Sequence, residues 1–284
     1  MHHRTGRLLL LLLSGINLSC QSAPEPAKLS ETNPAISSIA VKPDSIQTIH
    51  VIVALCDNKY QGIVPVPAGI GNGQNPQTNL YWGAGYGVFN FFKKSADWIL
   101  VRHDKTDRQK MGDSVVLERA LFRNRQHPVY LLAEAYDGRE IKQAIIDFLA
   151  MANGRHERPY PVPDSSALPF GGQSDLVAFI GHNGLMDFDI PTPDPPNTDN
   201  TRDAIVLACY SKNYFSNYIR SARARPVLWS THLMAPEAYV LHDALREWCK
   251  EKPAESIRMA AARAYAKYQR CSLSAAQKLL VAGF

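Results

Sequence analysis

Six short apolar runs organise the chain: residues 49–55, 98–101, 129–133, 176–180, 204–208 and 226–230, set off by Asp, Asn, Gly, Pro or Ser. Continuous runs of this length predict strands buried on both faces of a parallel sheet. Between them the period changes. Ile141, Ala144, Ile145, Phe148 and Leu149 fall at i, i+3, i+4, i+7 and i+8, which predicts an amphipathic helix with Asp137 as an N-cap candidate. Helices are also predicted over 80–94, 214–224, 237–249 and 254–269. Residues 103–125 fit either a helix or a strand paired with the run before it. The four prolines of 191–200 exclude a helix there. Strands alternating with helices imply an α/β layered fold with a mainly parallel sheet.

The ends change the picture. Arg4 and Arg7 precede an unbroken leucine run, 8–13, and a short polar stretch, so residues 1–19 read as a bacterial export signal. Cys20 follows, then a Pro-, Ser- and Glu-bearing stretch. This resembles a lipoprotein signal, with Cys20 acylated, residues 20–46 as a tether and 47–284 as one domain. The expected location is the cell envelope, periplasmic or outer-membrane, with membrane contact only through the lipid. Formal charge is +5, and +3 once Arg4 and Arg7 are set aside, too weak a bias to argue for nucleic acid. Of the five cysteines, Cys249 and Cys271 are candidates for a disulfide in an oxidising compartment. No cysteine or histidine spacing suggests a metal, and none is expected.

Two of the runs end in reactive side chains: Asp175-Leu-Val-Ala-Phe-Ile-Gly-His182-Asn-Gly184 and Asp203-Ala-Ile-Val-Leu-Ala-Cys209. Ligands and catalytic groups gather at the carboxyl ends of parallel strands. A thiol within reach of an imidazole is a device for nucleophilic catalysis. Cys56-Asp57-Asn58, after the first run, opens on the same edge. Asp57 either enters a substrate pocket or caps its own turn, the simpler reading. Asp187 and Asp189, past the His turn, are further substrate-binding candidates. His50 and His242 read as packing or surface residues.

The order of these parts resembles the caspase-like cysteine peptidases, in which the catalytic His follows one central strand and the nucleophilic Cys follows the next. The resemblance covers about residues 49–235 and implies a three-layer fold, a Cys209–His182 dyad and a peptide or protein substrate, with no cofactor. It also implies oxyanion donors at the backbone of Cys209 and of Asn183 or Gly184. The chain departs from the family in carrying Asn183 directly after His182, where glycine is usual, and in its proline-rich connection to Cys209. A catalytically inactive relative that binds a peptide in the same crevice is the alternative. A different cysteine-dependent hydrolase or acyltransferase is a third reading.

Overall fold

The computed structural model describes residues 46–106, 115–163, 165–193, 196 and 201–284. The predicted export signal, Cys20 and residues 21–45 of the tether lie outside these.

The fold is α/β, an eight-stranded mixed sheet flanked by helices. In chain order it contains β1 (Gln47–Ala54), α1 (Val88–Lys93), β2 (Trp98–Lys105), β3 (Val116–Asn124), β4 (Val129–Tyr136) and α2 (Ile141–Ala152). A hairpin follows, β5 (Glu157–Val162) and β6 (Ser165–Gly171), and then β7 (Leu176–Ile180), β8 (Asp203–Leu207), α3 (Ser211–Ser221) and β9 (Arg225–Ser230). The chain closes with α4 (Ala238–Trp248), α5 (Ala254–Gln269), α6 (Leu273–Leu279) and β10 (Leu280–Val281).

Strand order across the sheet is β10-β9-β8-β7-β1-β4-β3-β2. The block β9-β8-β7-β1-β4 is parallel. The pairs β4–β3, β3–β2 and β9–β10 are antiparallel, so the sheet is mixed where a mainly parallel one was expected. The ambiguous stretch 103–125 resolves as the end of β2 and β3, leaving 107–114 outside the described residues.

The apolar runs explain the layers. Ile49, Val51 and Val53 of β1 face one way and join a core with α1, α4 and α5. Ile52 and Ala54 face the other way and join a core with α2 and α3. On that second face Phe148 of α2 packs against Phe179 of β7 and Phe215 of α3, centroids 5.7 and 6.2 Å away. The β5–β6 hairpin, which the sequence did not predict, extends the same face, with Leu168 and Phe170 against Leu121 and Leu132.

Two expected helices shift. The apolar spacing of 80–94 yields only α1, because Gly83 and Gly87 sit where backbone comes within 2.1–2.5 Å of an added Cβ, in a coiled loop rather than a helix. Asn79 holds that loop by bonding the backbone N–H and C=O of Cys56 at 3.1 and 2.8 Å. The helix expected at 214–224 begins at Ser211, whose hydroxyl bonds the Val206 carbonyl and meets Ser230. Asp137 caps a 3-10 turn, Gly138–Glu140, and not α2 itself. Cys249 and Cys271 are separate free thiols, which corrects the expected disulfide.

Candidate active site

The first parallel strand, β1, leads the chain to β4 on one side, and the later parallel strands then add in order on its other side. Connections therefore leave β1 and β7 in opposite directions, opening a crevice beyond their carboxyl ends. His182 lies at that edge. In the β7–β8 ladder Ile180 pairs with Leu207, so His182 and Cys209 emerge at equivalent positions, two residues beyond this pair. Gly181 permits this approach, since a Cβ there would lie 2.9 Å from the Ala54 Cβ. Its N–H donates to the Leu207 carbonyl at 3.2 Å.

Asn183 is the tie between the two turns. It is fully buried, its Nδ2 donates to the Cys209 carbonyl at 2.7 Å, and its Oδ1 accepts from the Leu185 N–H at 3.1 Å. The side chain that separates this sequence from the usual His-Gly turn is thus turned into the protein. The Gly184 N–H donates to the His182 carbonyl at 3.2 Å, which takes Gly184 out of the expected oxyanion pair. Among the described residues the N–H groups of Asn183 and Cys209 have no hydrogen-bond acceptor.

His182 is mostly covered, and its Nε2 lies 2.6 Å from Asp187 Oδ2. A carboxylate only accepts, so in the neutral ring Nε2 carries the proton and Nδ1 keeps a lone pair. Asp187, expected at the substrate, instead orients the imidazole. Cys209 is half-buried. The Met234 N–H donates to its Sγ at 3.4 Å, and Sγ lies 3.6 Å from the Met234 carbonyl. Among the described residues no hydrogen bond joins Cys209 to His182.

The turn after Cys209 is strained. Tyr210 takes φ +50°, ψ 31°, a left-handed conformation uncommon for a residue with a Cβ, and starts α3 directly. Its N–H donates to the His232 carbonyl at 2.9 Å, which holds the bend. Strain of this kind clusters at functional sites.

The second cysteine on this edge is different. Cys56 is fully buried, and burial, reinforced by Asp57, pushes its thiol up to about 11. It stays protonated and serves as packing. Asp57 is also withdrawn: it is 2 % exposed, its Oδ1 caps the Lys59 and Tyr60 N–H groups, and its Oδ2 accepts from Gln74. That is the turn-capping role, and it removes Asp57 from the substrate-binding set. Asp189 is exposed beyond the His turn.

Three neighbours were not singled out by sequence. Burial, then Cys56, Cys209 and Glu237, push the Tyr81 phenol well up. Burial pushes the Glu237 carboxyl up as well, opposed by a 2.8 Å bond from Tyr239. The Tyr265 oxygen accepts from the Ala235 N–H at 3.3 Å. These groups come from a loop, from the residue before α4 and from α5, so no local motif marks them. Leu233 and Met186, 66 and 40 % exposed, flank Met234 and follow His182.

Comparison with family models, with curated proteins and with solved structures finds no match. No described residues form a cluster able to hold a metal ion, and no described helix is long and apolar enough to cross a membrane.

Proposed function

We propose that the protein is a cysteine endopeptidase of caspase-like design, with Cys209 as nucleophile and His182 as general acid and base. One observation carries the reading. Two adjacent parallel strands deliver the thiol and the imidazole to the same edge, each followed by strand-end backbone in which the Cys209 and Asn183 N–H groups lack acceptors among the described residues.

The chemistry follows from these groups. The Cys209 S–H proton passes to His182 Nδ1 while Nε2–H stays on Asp187. The sulfur attacks the scissile carbonyl carbon, and the oxyanion is met by the Cys209 and Asn183 amides. The C–N bond breaks, His182 returns the proton to the leaving amine, and an acyl thioester remains. Water, deprotonated by His182, attacks the thioester; the acid leaves and the thiol is restored. The Met234 N–H supplies a donor to the sulfur while it is charged. Exposed Leu233 and Met186 give an extended peptide apolar contacts beside the edge.

The strained Tyr210 turn supports a second reading, a cysteine acyltransferase or hydrolase built on a strand-to-helix elbow. A panel of peptides, esters and thioesters separates the two: the peptidase cuts internal amide bonds with a preference visible in the products, whereas turnover confined to the esters or thioesters contradicts it.

As a positioning residue, Asp187 acts through His182. Asp187→Asn is expected to lower kcat by about 10- to 100-fold, less than the 10²- to 10⁴-fold of removing a general acid–base outright because His182 itself remains, and to shift the pH profile of kcat/KM. A rise in KM with kcat unchanged would instead assign Asp187 to substrate binding. We also propose residence at the cell envelope through acylated Cys20. Fractionation of the Cys20→Ala chain tests it: release from membranes is expected, and unchanged fractionation contradicts it.

A further inference from the structure

A second constellation lies away from Cys209, where the turn between α1 and β2 meets α4. Ser95 Oγ is 2.7 Å from His242 Nε2, and His242 Nδ1 is 2.9 Å from Asp243 Oδ1. In the neutral tautomer with the proton on Nδ1, facing the nearer carboxylate, Nε2 is an acceptor and the serine O–H its donor. Ser95 Oγ also accepts the Asp97 N–H at 3.0 Å.

The ring is held in place. His242 is buried, with Phe91 and Phe92 edge-on at 5.3 and 5.4 Å. Arg246, one helical turn further along α4, bonds Asp243 at 3.2 Å and Asp97 at 2.9 Å. Asp97 Oδ2 also stands 3.5 Å from Nε2. Ser95 and His242 line a cavity of about 310 Å³, together with Tyr86, Phe91, Lys94 and Arg246. Its walls are mostly apolar, and Asp243 stands behind the ring, outside the lining. The Ala96 N–H, next after Ser95, has no acceptor among the described residues.

We propose that this is a second hydrolytic site, a Ser95–His242–Asp243 triad acting on short-chain carboxylic esters. A serine hydroxyl on Nε2 with a carboxylate on Nδ1 is the arrangement that activates serine on unrelated folds. The Ser95 oxygen attacks the ester carbonyl and its proton goes to His242 Nε2. The Ala96 N–H donates to the oxyanion. The C–O bond breaks, and His242 protonates the departing alcohol. Water then attacks acyl-Ser95 with His242 as base; the carboxylic acid leaves and the serine regains its proton. The cavity is at the small end of ligand sites, which fits a short acyl chain between Tyr86 and Phe91.

The test uses the full chain carrying Cys209→Ala, so that a thiol cannot account for any signal. A fluorophosphonate is expected to add at Ser95, located by mass spectrometry of the digest. Hydrolysis of p-nitrophenyl butyrate is expected to fall to background in Ser95→Ala and by about 10⁴-fold in Asp243→Asn. With circular dichroism confirming a native fold, an unmodified Ser95 overturns the proposal. So does ester hydrolysis indifferent to Ser95→Ala; the trio is then a structural tie between the α1–β2 turn and α4. Neither result bears on Cys209.

Discussion

Cys209→Ala is expected to lower peptide hydrolysis by on the order of 10⁶-fold, the scale seen when a covalent nucleophile is removed. His182→Ala should cost nearly as much, and the double variant little more than either, because the two groups act as one unit. The reasoning is geometric. The β7–β8 register puts both side chains at one level of one edge. Cys56, the other thiol on that edge, is buried and pushed up to about 11, so it cannot substitute. Asn183→Ala probes the same unit differently. It removes the 2.7 Å bond that ties the His turn to the Cys209 carbonyl while keeping the backbone N–H. A loss of about 10²-fold, near that for one oxyanion donor, is expected from a displaced amide. Equal rates for the Cys209→Ala and native chains contradict the assignment outright.

Glu134→Ala is expected to destabilise the fold by about 3–5 kcal/mol, the cost of breaking a buried ion pair and leaving charge unmatched. Melting should fall by roughly 10 °C for a domain of this size. Glu134 is fully buried in β4. It accepts from Arg119 Nε of β3 at 2.6 Å and meets His50 Nε2 of β1 at 3.1 Å, with Arg158 of β5 4.0 Å away. His50 Nδ1 accepts the Gly171 N–H at 3.0 Å, so the network also docks the β5–β6 hairpin. Burial alone would raise the carboxyl; His50, Arg119 and Arg158 outweigh it and hold Glu134 at about 2. A depressed carboxyl stabilises above its ordinary value of 4.5, and that stability is lost as pH falls toward 2. Native chain should therefore lose melting temperature across this window more steeply than Glu134→Ala. A melting shift below about 2 °C, or matching acid profiles, contradicts this account.

Legibility follows locality. β1, β4, β7, β8 and β9 were readable because each is a short apolar run whose burial is recorded in consecutive residues. β5 and β6 were not, since Glu157-Arg-Pro-Tyr-Pro-Val alternates weakly and carries two prolines. The truncated helix at 80–94 shows apolar spacing overridden by glycines that let the loop backbone pack closely. His182 and Cys209 were marked by their place after strands. Position alone marks Asp187 as a substrate candidate, because a contact with His182 five residues away across a 3-10 turn is not visible as a pattern. Nothing beside His50 or His242 in the sequence distinguishes either from a packing or surface residue. Their partners Glu134, Gly171 and Ser95 are 84, 121 and 147 positions distant, beyond any periodicity.

The most direct measurement is covalent capture. Native chain and the His182→Ala variant are each treated with peptidyl acyloxymethyl ketones carrying basic, acidic or asparagine lead residues, and the adduct is mapped by mass spectrometry. The account predicts modification at Cys209, sharply reduced without His182, while Cys56, Cys249 and Cys271 stay unmodified. Absence of any Cys209 adduct across all leads, or an equal yield with and without His182, would contradict it.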